Sequence, residues 1–227
     1  MAKHGKRYTD ILKKLPAEAV SLEEAVAFVK DNAKAKFDET VEVSFRLGVD
    51  AKKTDQTVRG TVNLPNGTGK NIRVIVFAAG QHADEARAAG AEEVGYEDLI
   101  EKIKNGWMDF DVAISTTDAM KEVRKIARVL GPRGLMPNPK TGTVTDDTGA
   151  AVKAAKGGKV DFRMDRGGNV AVLCGKASFD AEKLLGNIRA IVDAVKAERP
   201  PAAKGTFLRS MTLSSTMGAG VRVLIKE

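Results

Sequence analysis

The hydrophobic texture of this chain changes twice, and that limits the fold more than any single motif. Over residues 40–49 apolar and polar residues alternate strictly. Val41, Val43, Phe45, Leu47 and Val49 point one way, and Thr40, Glu42, Ser44, Arg46 and Gly48 the other. Strand side chains alternate between faces, so this pattern predicts one buried and one exposed face, the habit of an antiparallel sheet. Residues 58–64 repeat it. Past the turn-rich Pro65-Asn-Gly-Thr-Gly-Lys70, the run at 72–77 is nearly all apolar, the mark of a sheet covered on both sides. An Ala-rich helix (83–89), a strand at Val94, a helix (97–105), a strand (111–115) and a helix from Asp118 follow. On that last helix Val123, Ile126, Ala127 and Leu130 share a face. Strand and helix in alternation predict a small parallel α/β unit, closed by a helix at 149–156.

At Lys159 the alternating texture returns. Val160, Phe162 and Met164 face one side, Arg166-Gly-Gly-Asn169 reads as a turn, and residues 170–174 are expected to pair back as a hairpin. A helix over 180–198 carries the stripe Leu184, Leu185, Ile188, Ile191, Val192 and Val195 and stops at Pro200-Pro201. Strands at 206–215 and 221–225 follow. Near the start, Ser21-Leu-Glu-Glu24 is a capping box that opens a helix to about Ala33. Residues 1–20, with Lys3, Lys6, Arg7, Lys13 and Lys14, have two readings: an amphipathic helix around 8–15, or a solvated basic arm. The expected fold class is therefore α+β and α/β in two domains. A discontinuous α+β domain (1–67 plus 159–227) has an antiparallel sheet with helices on one face. A three-layer, Rossmann-like α/β domain is inserted over 68–158.

Charge separates the two parts. The chain has 37 basic and 30 acidic residues, net +7. The insert holds 13 of each, so the whole excess belongs to the outer domain. A basic balance points to a polyanionic partner. Aromatic residues are only 5%, too few for a reader that stacks single-stranded bases, so folded shape and backbone are the expected targets. No apolar leader opens the sequence, and the longest apolar run, 74–79, is too short to span a bilayer. The expectation is a soluble, reducing, cytoplasmic setting, with no membrane partner.

Enzyme chemistry finds few parts. Gly67-Thr-Gly-Lys70-Asn71 has the wrong spacing for a phosphate loop, lacks the hydroxyl and precedes a strand. The dinucleotide fingerprint is absent. His4, His82 and Cys174 are too few and too scattered for zinc or a nucleophilic triad. Cys174, within Val170-Ala-Val-Leu-Cys174, reads as a reduced core residue. No catalytic residue, metal or cofactor is expected.

Two stretches invite a partner. The final strand sets Ser210, Thr212, Ser214 and Thr216 on one face, and the early strand exposes Thr40, Glu42, Ser44 and Arg46. In one sheet they would make a field of hydroxyls edged by Lys36, Arg46, Arg163 and Lys204. Such a field suits phosphates and ribose hydroxyls, though an ordinary solvated sheet face has the same composition. The other stretch, 128–144, holds three of the seven prolines and the exposed-looking Leu135 and Met136. Proline excludes helix interior and central strand there, leaving a long stiffened loop of the kind that is usually functional. Met136 packs beneath that loop or meets a ribose face.

Lys36-Phe37, Glu39-Thr-Val-Glu-Val, Gly48-Val-Asp50-Ala-Lys-Lys-Thr-Asp-Gln-Thr-Val-Arg-Gly60, Leu64-Pro-Asn-Gly-Thr-Gly69, Gly131-Pro-Arg-Gly-Leu-Met-Pro-Asn-Pro-Lys140 and Ser215-Thr-Met-Gly218 follow one another along nearly the whole chain. In this set the sequence resembles the bacterial L-one family of large-subunit ribosomal proteins, those of the mobile stalk beside the exit tRNA site. The resemblance implies the same discontinuous two-domain layout; the two glycine-bearing crossings at 64–70 and 157–159 are expected to form a hinge about which the insert swings. It implies large-subunit ribosomal RNA, exit-site tRNA and the protein's own messenger RNA as partners, with repression of that messenger. It also implies a place on the large ribosomal subunit, and a monomer when free. Carried over by matching residues, RNA binding falls on Lys36, Phe37, Thr40, Glu42, Ser210, Thr216, Met217 and Gly218. A secondary RNA contact falls on Gly131, Arg133, Gly134, Met136 and Lys140. The hairpin at 165–174 departs from the family pattern and is assigned no contact.

Overall fold

The computed structural model describes residues 5–51 and 53–225; Lys3, His4 and Lys52 lie outside the described residues. In chain order the elements are α1 (Lys6–Lys14), α2 (Leu22–Asn32), β1 (Thr40–Leu47), β2 (Arg59–Asn63), β3 (Val74–Phe77), α3 (Gln81–Ala88), β4 (Glu93–Gly95), α4 (Glu97–Lys104) and β5 (Val112–Ser115). Then come α5 (Met120–Val123), α6 (Ala127–Leu130), α7 (Thr148–Lys156), β6 (Lys159–Arg163), β7 (Asn169–Lys176), α8 (Ala181–Ala197), β8 (Leu208–Ser215) and β9 (Val221–Val223). The described flanks, through Gly69 and from Val160 onward, form one compact unit, and Lys70–Lys159 form a second. The fold class is mixed, with an antiparallel sheet in one unit and a parallel sheet in the other.

In the outer unit β7, β1, β8 and β9 lie side by side, each antiparallel to its neighbour. The alternation in β1 becomes a clean burial pattern: Val41, Val43, Phe45 and Leu47 are buried and Glu42 and Arg46 exposed. The buried side meets α2 and α8, which pack on each other, α2 against β8 and β9 and α8 against β7 and β2. The capping box of α2 forms in full: Ser21 Oγ accepts from Glu24 N at 3.2 Å and Glu24 Oε2 from Ser21 N at 3.1 Å. Among the described residues the core of this unit is built from the two flanks. Each large apolar side chain fully buried there contributes roughly 1.5–3 kcal/mol.

The expected hairpin at 160–174 does not form. The turn is there, with the Asp165 carboxylate accepting from Gly167 N at 2.7 Å and Asn169 N at 2.8 Å. Its two arms part company, however. β6 joins β2 in a separate two-stranded sheet, and β7 pairs with β1. Period-two alternation marks a strand but does not name its partner. Arg163 therefore sits on the smaller sheet and does not edge the hydroxyl field. The stripe of α8 also shifts: Leu185 and Val192 are half-buried, while Asn187 is fully buried.

In the second unit β3 lies between β4 and β5, all parallel. Every residue of β3 is buried, as its apolar run requires. α3 and α7 share one core with the sheet. α4, α5 and α6 share the other, which makes three layers. The helix expected from Asp118 is broken: a 3₁₀ turn at Arg124–Ile126 separates α5 from α6. Three residues per turn brings Val123 and Ile126 onto one side, and both are buried. Among the described residues no helix is long and apolar enough to cross a membrane, and no cluster of His, Cys, Asp or Glu is placed to hold a metal ion.

Candidate nucleic-acid interface

The outward face of the four-stranded sheet carries the hydroxyl field. Pairing of β1 with β8 sets Glu42 opposite Ser214, Ser44 opposite Thr212 and Arg46 opposite Ser210. On the other side of β1, Leu173 lies beside Glu42, Ala171 beside Ser44 and Asn169 beside Arg46. Arg222 of β9 faces Thr212. The face is thus short hydroxyls and small apolar groups with arginines along it.

At one end of this face two loops meet. The first, 33–39, leads into β1 and exposes Lys36 and Phe37; the second, 216–220, leaves β8 and exposes Met217. Phe37 is 54% exposed and Met217 50%, large apolar side chains left in solvent at the end of the hydroxyl-lined face. Isolated exposed apolar residues need no explanation; these two stand on adjoining loops at the rim of a polar face.

The loops are tied together in detail. Thr40 N donates to Thr216 Oγ1 at 2.9 Å, and Thr216 N to the Thr40 carbonyl at 3.0 Å. Thr216 Oγ1 also donates back to that carbonyl at 3.3 Å, so its hydroxyl is turned toward the chain. Lys176 Nζ donates to Thr40 Oγ1 at 3.0 Å. Asp38 holds the first loop to the end of β7, accepting from Ser178 N at 3.2 Å and Ser178 Oγ at 2.8 Å. Arg7 of α1 reaches the Met217 carbonyl at 3.5 Å.

Beneath both loops lies Glu39, 1% exposed. Its Oε1 accepts from Ala35 N at 3.0 Å. Its Oε2 accepts from Ser215 Oγ at 2.7 Å and Met217 N at 3.0 Å. Burial pushes this carboxyl up, but the hydrogen bonds from Met217, Ser215 and Ala35, with the charge of Arg7, outweigh it and hold the group below its ordinary value of 4.5. Gly218 completes the corner. A side chain there would collide with Ser215 Oγ, the same hydroxyl that serves Glu39.

The expected site residues thus divide. Lys36, Phe37, Thr40, Thr216, Met217 and Gly218 come together at one end, with Glu42 one row along the same face. Ser210 shares the face but pairs with Arg46, six residues along β1 and so roughly 20 Å from the Thr40 end. Glu39 was missed as a site residue, yet the sequence carried its signal. It has the parity of Val41, Val43 and Phe45, which places it on the buried side of the strand.

The proline loop of the second unit is knotted around Asn138. Its Oδ1 accepts from Lys140 N at 2.8 Å, and its backbone N donates to Thr143 Oγ1 at 2.8 Å. Its carbonyl accepts from Thr141 Oγ1 at 3.0 Å. One 3₁₀ turn, Pro139–Thr141, carries the exposed Lys140. Gly131, Arg133 and Gly134 stand in an exposed turn, where Gly134 takes a φ of 72° that other residues rarely adopt. Leu135 and Met136, expected to be exposed, are half-buried against the α4–α5 core, because the turn at 131–134 folds the loop back over it. Of the two readings of Met136, packing under the loop is the one observed. Cys174 is fully buried and burial pushes its thiol up, which makes it an inert core residue.

A model of the ribosomal protein L1p/L10e family matches residues 29–219, from the end of α2 across the whole second unit and into the second tied loop. That span is most of the chain, so the chain belongs to the ribosomal protein L1p/L10e family, a family of structural ribosomal proteins and not of enzymes.

Proposed function

We propose that this protein binds large-subunit ribosomal RNA through the outward face of its four-stranded sheet, with the Phe37 and Met217 loops as the centre of the contact. The observation that carries this reading is two half-exposed apolar side chains beside Lys36, at the end of a hydroxyl-lined, arginine-bearing face. RNA folded into helices and turns offers phosphates, 2′-hydroxyls and sugar faces. Backbone amides and Ser and Thr hydroxyls reach the first two, and Phe37 and Met217 cover sugar or base faces. Glu42 accepts from a 2′-hydroxyl or a base amine. The Gly131–Lys140 loop makes a weaker, second contact through Arg133 and Lys140. As a part of the stalk the protein assists release of deacylated tRNA from the exit site. It represses its own messenger by binding an RNA element of the same shape.

The test is binding to the large-subunit RNA fragment that the protein protects in a footprint. Replacing Thr216 and Met217 with Ala and Asp is expected to weaken binding by a hundredfold or more, about 3 kcal/mol, because a carboxylate then faces phosphate. Arg133→Ala, which removes one screened charge, is expected to cost less than about tenfold. Equal losses would overturn the ranking of the two surfaces.

A further inference from the structure

We propose that Glu39 is the positioning residue of this RNA face, a buried carboxylate that clasps the two contact loops into the shape the RNA meets. The inference rests on the RNA-binding reading above and adds to it a residue that does not touch RNA.

Thr40 and Thr216 join the strand ends, and Asp38 joins the first loop to β7. Neither reaches the amides of Ala35 and Met217, the one at the base of the Lys36–Phe37 tip and the other belonging to an exposed contact residue. Glu39 reaches both, one oxygen to each loop, and Ser215 Oγ closes the second oxygen. A carboxylate taken out of water stays charged only where donors replace its hydration, and three are aimed at it here. Acceptor geometry is specific: an ionised carboxylate serves both loops, whereas an amide has one acceptor oxygen and must present a donor to the other side. A loop pair held this way loses less freedom when RNA binds, so the clasp raises affinity without contact. The buried parity of Glu39, and a Gly at 218 where any Cβ would push Ser215 Oγ off it, are independent marks of the same arrangement.

The experiment uses the full chain and the same footprinted RNA fragment, with hydrogen exchange of backbone amides read on the free protein. Glu39→Ala is expected to weaken RNA binding by roughly tenfold or more through lost preorganisation. The Ala35 and Met217 amides lose protection while those of Val43 and Leu213 keep theirs. Glu39→Gln is expected to keep protection at one of the two loop amides only, with an intermediate affinity. Gly218→Ala disturbs the clasp without altering the carboxylate, and is expected to weaken binding several-fold with core protection unchanged. Wild-type affinity in Gly218→Ala and Glu39→Ala, with Met217→Asp defective in parallel, overturns the clasp and leaves the RNA face standing. Wild-type affinity in Met217→Asp as well overturns both.

Discussion

A single carboxylate carries a pH signature that can be read without RNA. Glu39 is held below its ordinary value of 4.5. A group whose value is lowered by folding adds stability that is complete above the unfolded value and is lost as pH falls through the folded one. Stability conferred by Glu39 is therefore present at neutral pH and fades below about pH 4.5. Other carboxylates contribute to acid unfolding, among them Asp165, held low chiefly by its bonds from Asn169, so the useful comparison is between wild type and Glu39→Gln. Protonated Glu39 and Gln have the same shape. The stability gap between the two proteins in urea unfolding is expected to be largest near neutrality and to shrink as the solution is acidified. A gap independent of pH would mean that the charge of Glu39 does not matter to the fold.

At the scale of elements, α8 shows what pattern reading finds and what it does not. The apolar stripe correctly gives a long helix against the sheet. It does not give Asn187, a polar residue buried among Leu184, Ile188 and Ile191. The Asn187 side chain accepts from Asn66 N at 3.0 Å and donates to the carbonyls of Gly67 at 3.0 Å and Cys174 at 2.7 Å. One residue thus ties α8 to the β7 backbone and to the 64–69 turn. Asn187→Leu would fill the space but orphan three backbone groups, at an expected cost of about 3–5 kcal/mol. Circular dichroism in urea measures it, and a cost under about 1 kcal/mol would mean that water replaces the amide. The same limit explains the lost hairpin at 160–174. Periodicity is a local property, and the choice of β1 over β6 as the partner of β7 is not. Faces were legible because parity is local, down to Thr40, Glu42 and Ser210 on one side. The meeting of the 33–39 and 216–220 loops depends on the pairing of β1 with β8, strands from opposite ends of the chain, which no local pattern records. The half-burial of Met136 depended on a turn whose direction no pattern records.

At the scale of the whole molecule, charge and core tell the same story. Among the described residues the core of the outer unit is built from the two flanks, and the basic excess lies outside the insert. We therefore expect residues 1–69, joined directly to 160–227, to fold alone and to bind the RNA fragment within about tenfold of the full chain, with a similar dependence on salt. The insert alone is expected to bind at least a hundredfold more weakly, or about 3 kcal/mol. Filter binding across a salt series decides this. Comparable affinity for the two pieces would make the charge distribution irrelevant.

The partners Thr40 and Thr216 stand 176 residues apart in sequence. β1 occupies the interior of its sheet, yet both its neighbours, β7 and β8, come from the last third of the chain. During synthesis β1 emerges early and waits unpaired, a strand with a bare edge on each side, while the contiguous insert can close by itself. The tie between the two loops cannot form before residues 215–217 are made, because Glu39 and Thr40 find their partners there. A chain that ended before β8 would hold the whole insert but lack both the Thr216 partner of Thr40 and the Met217 loop.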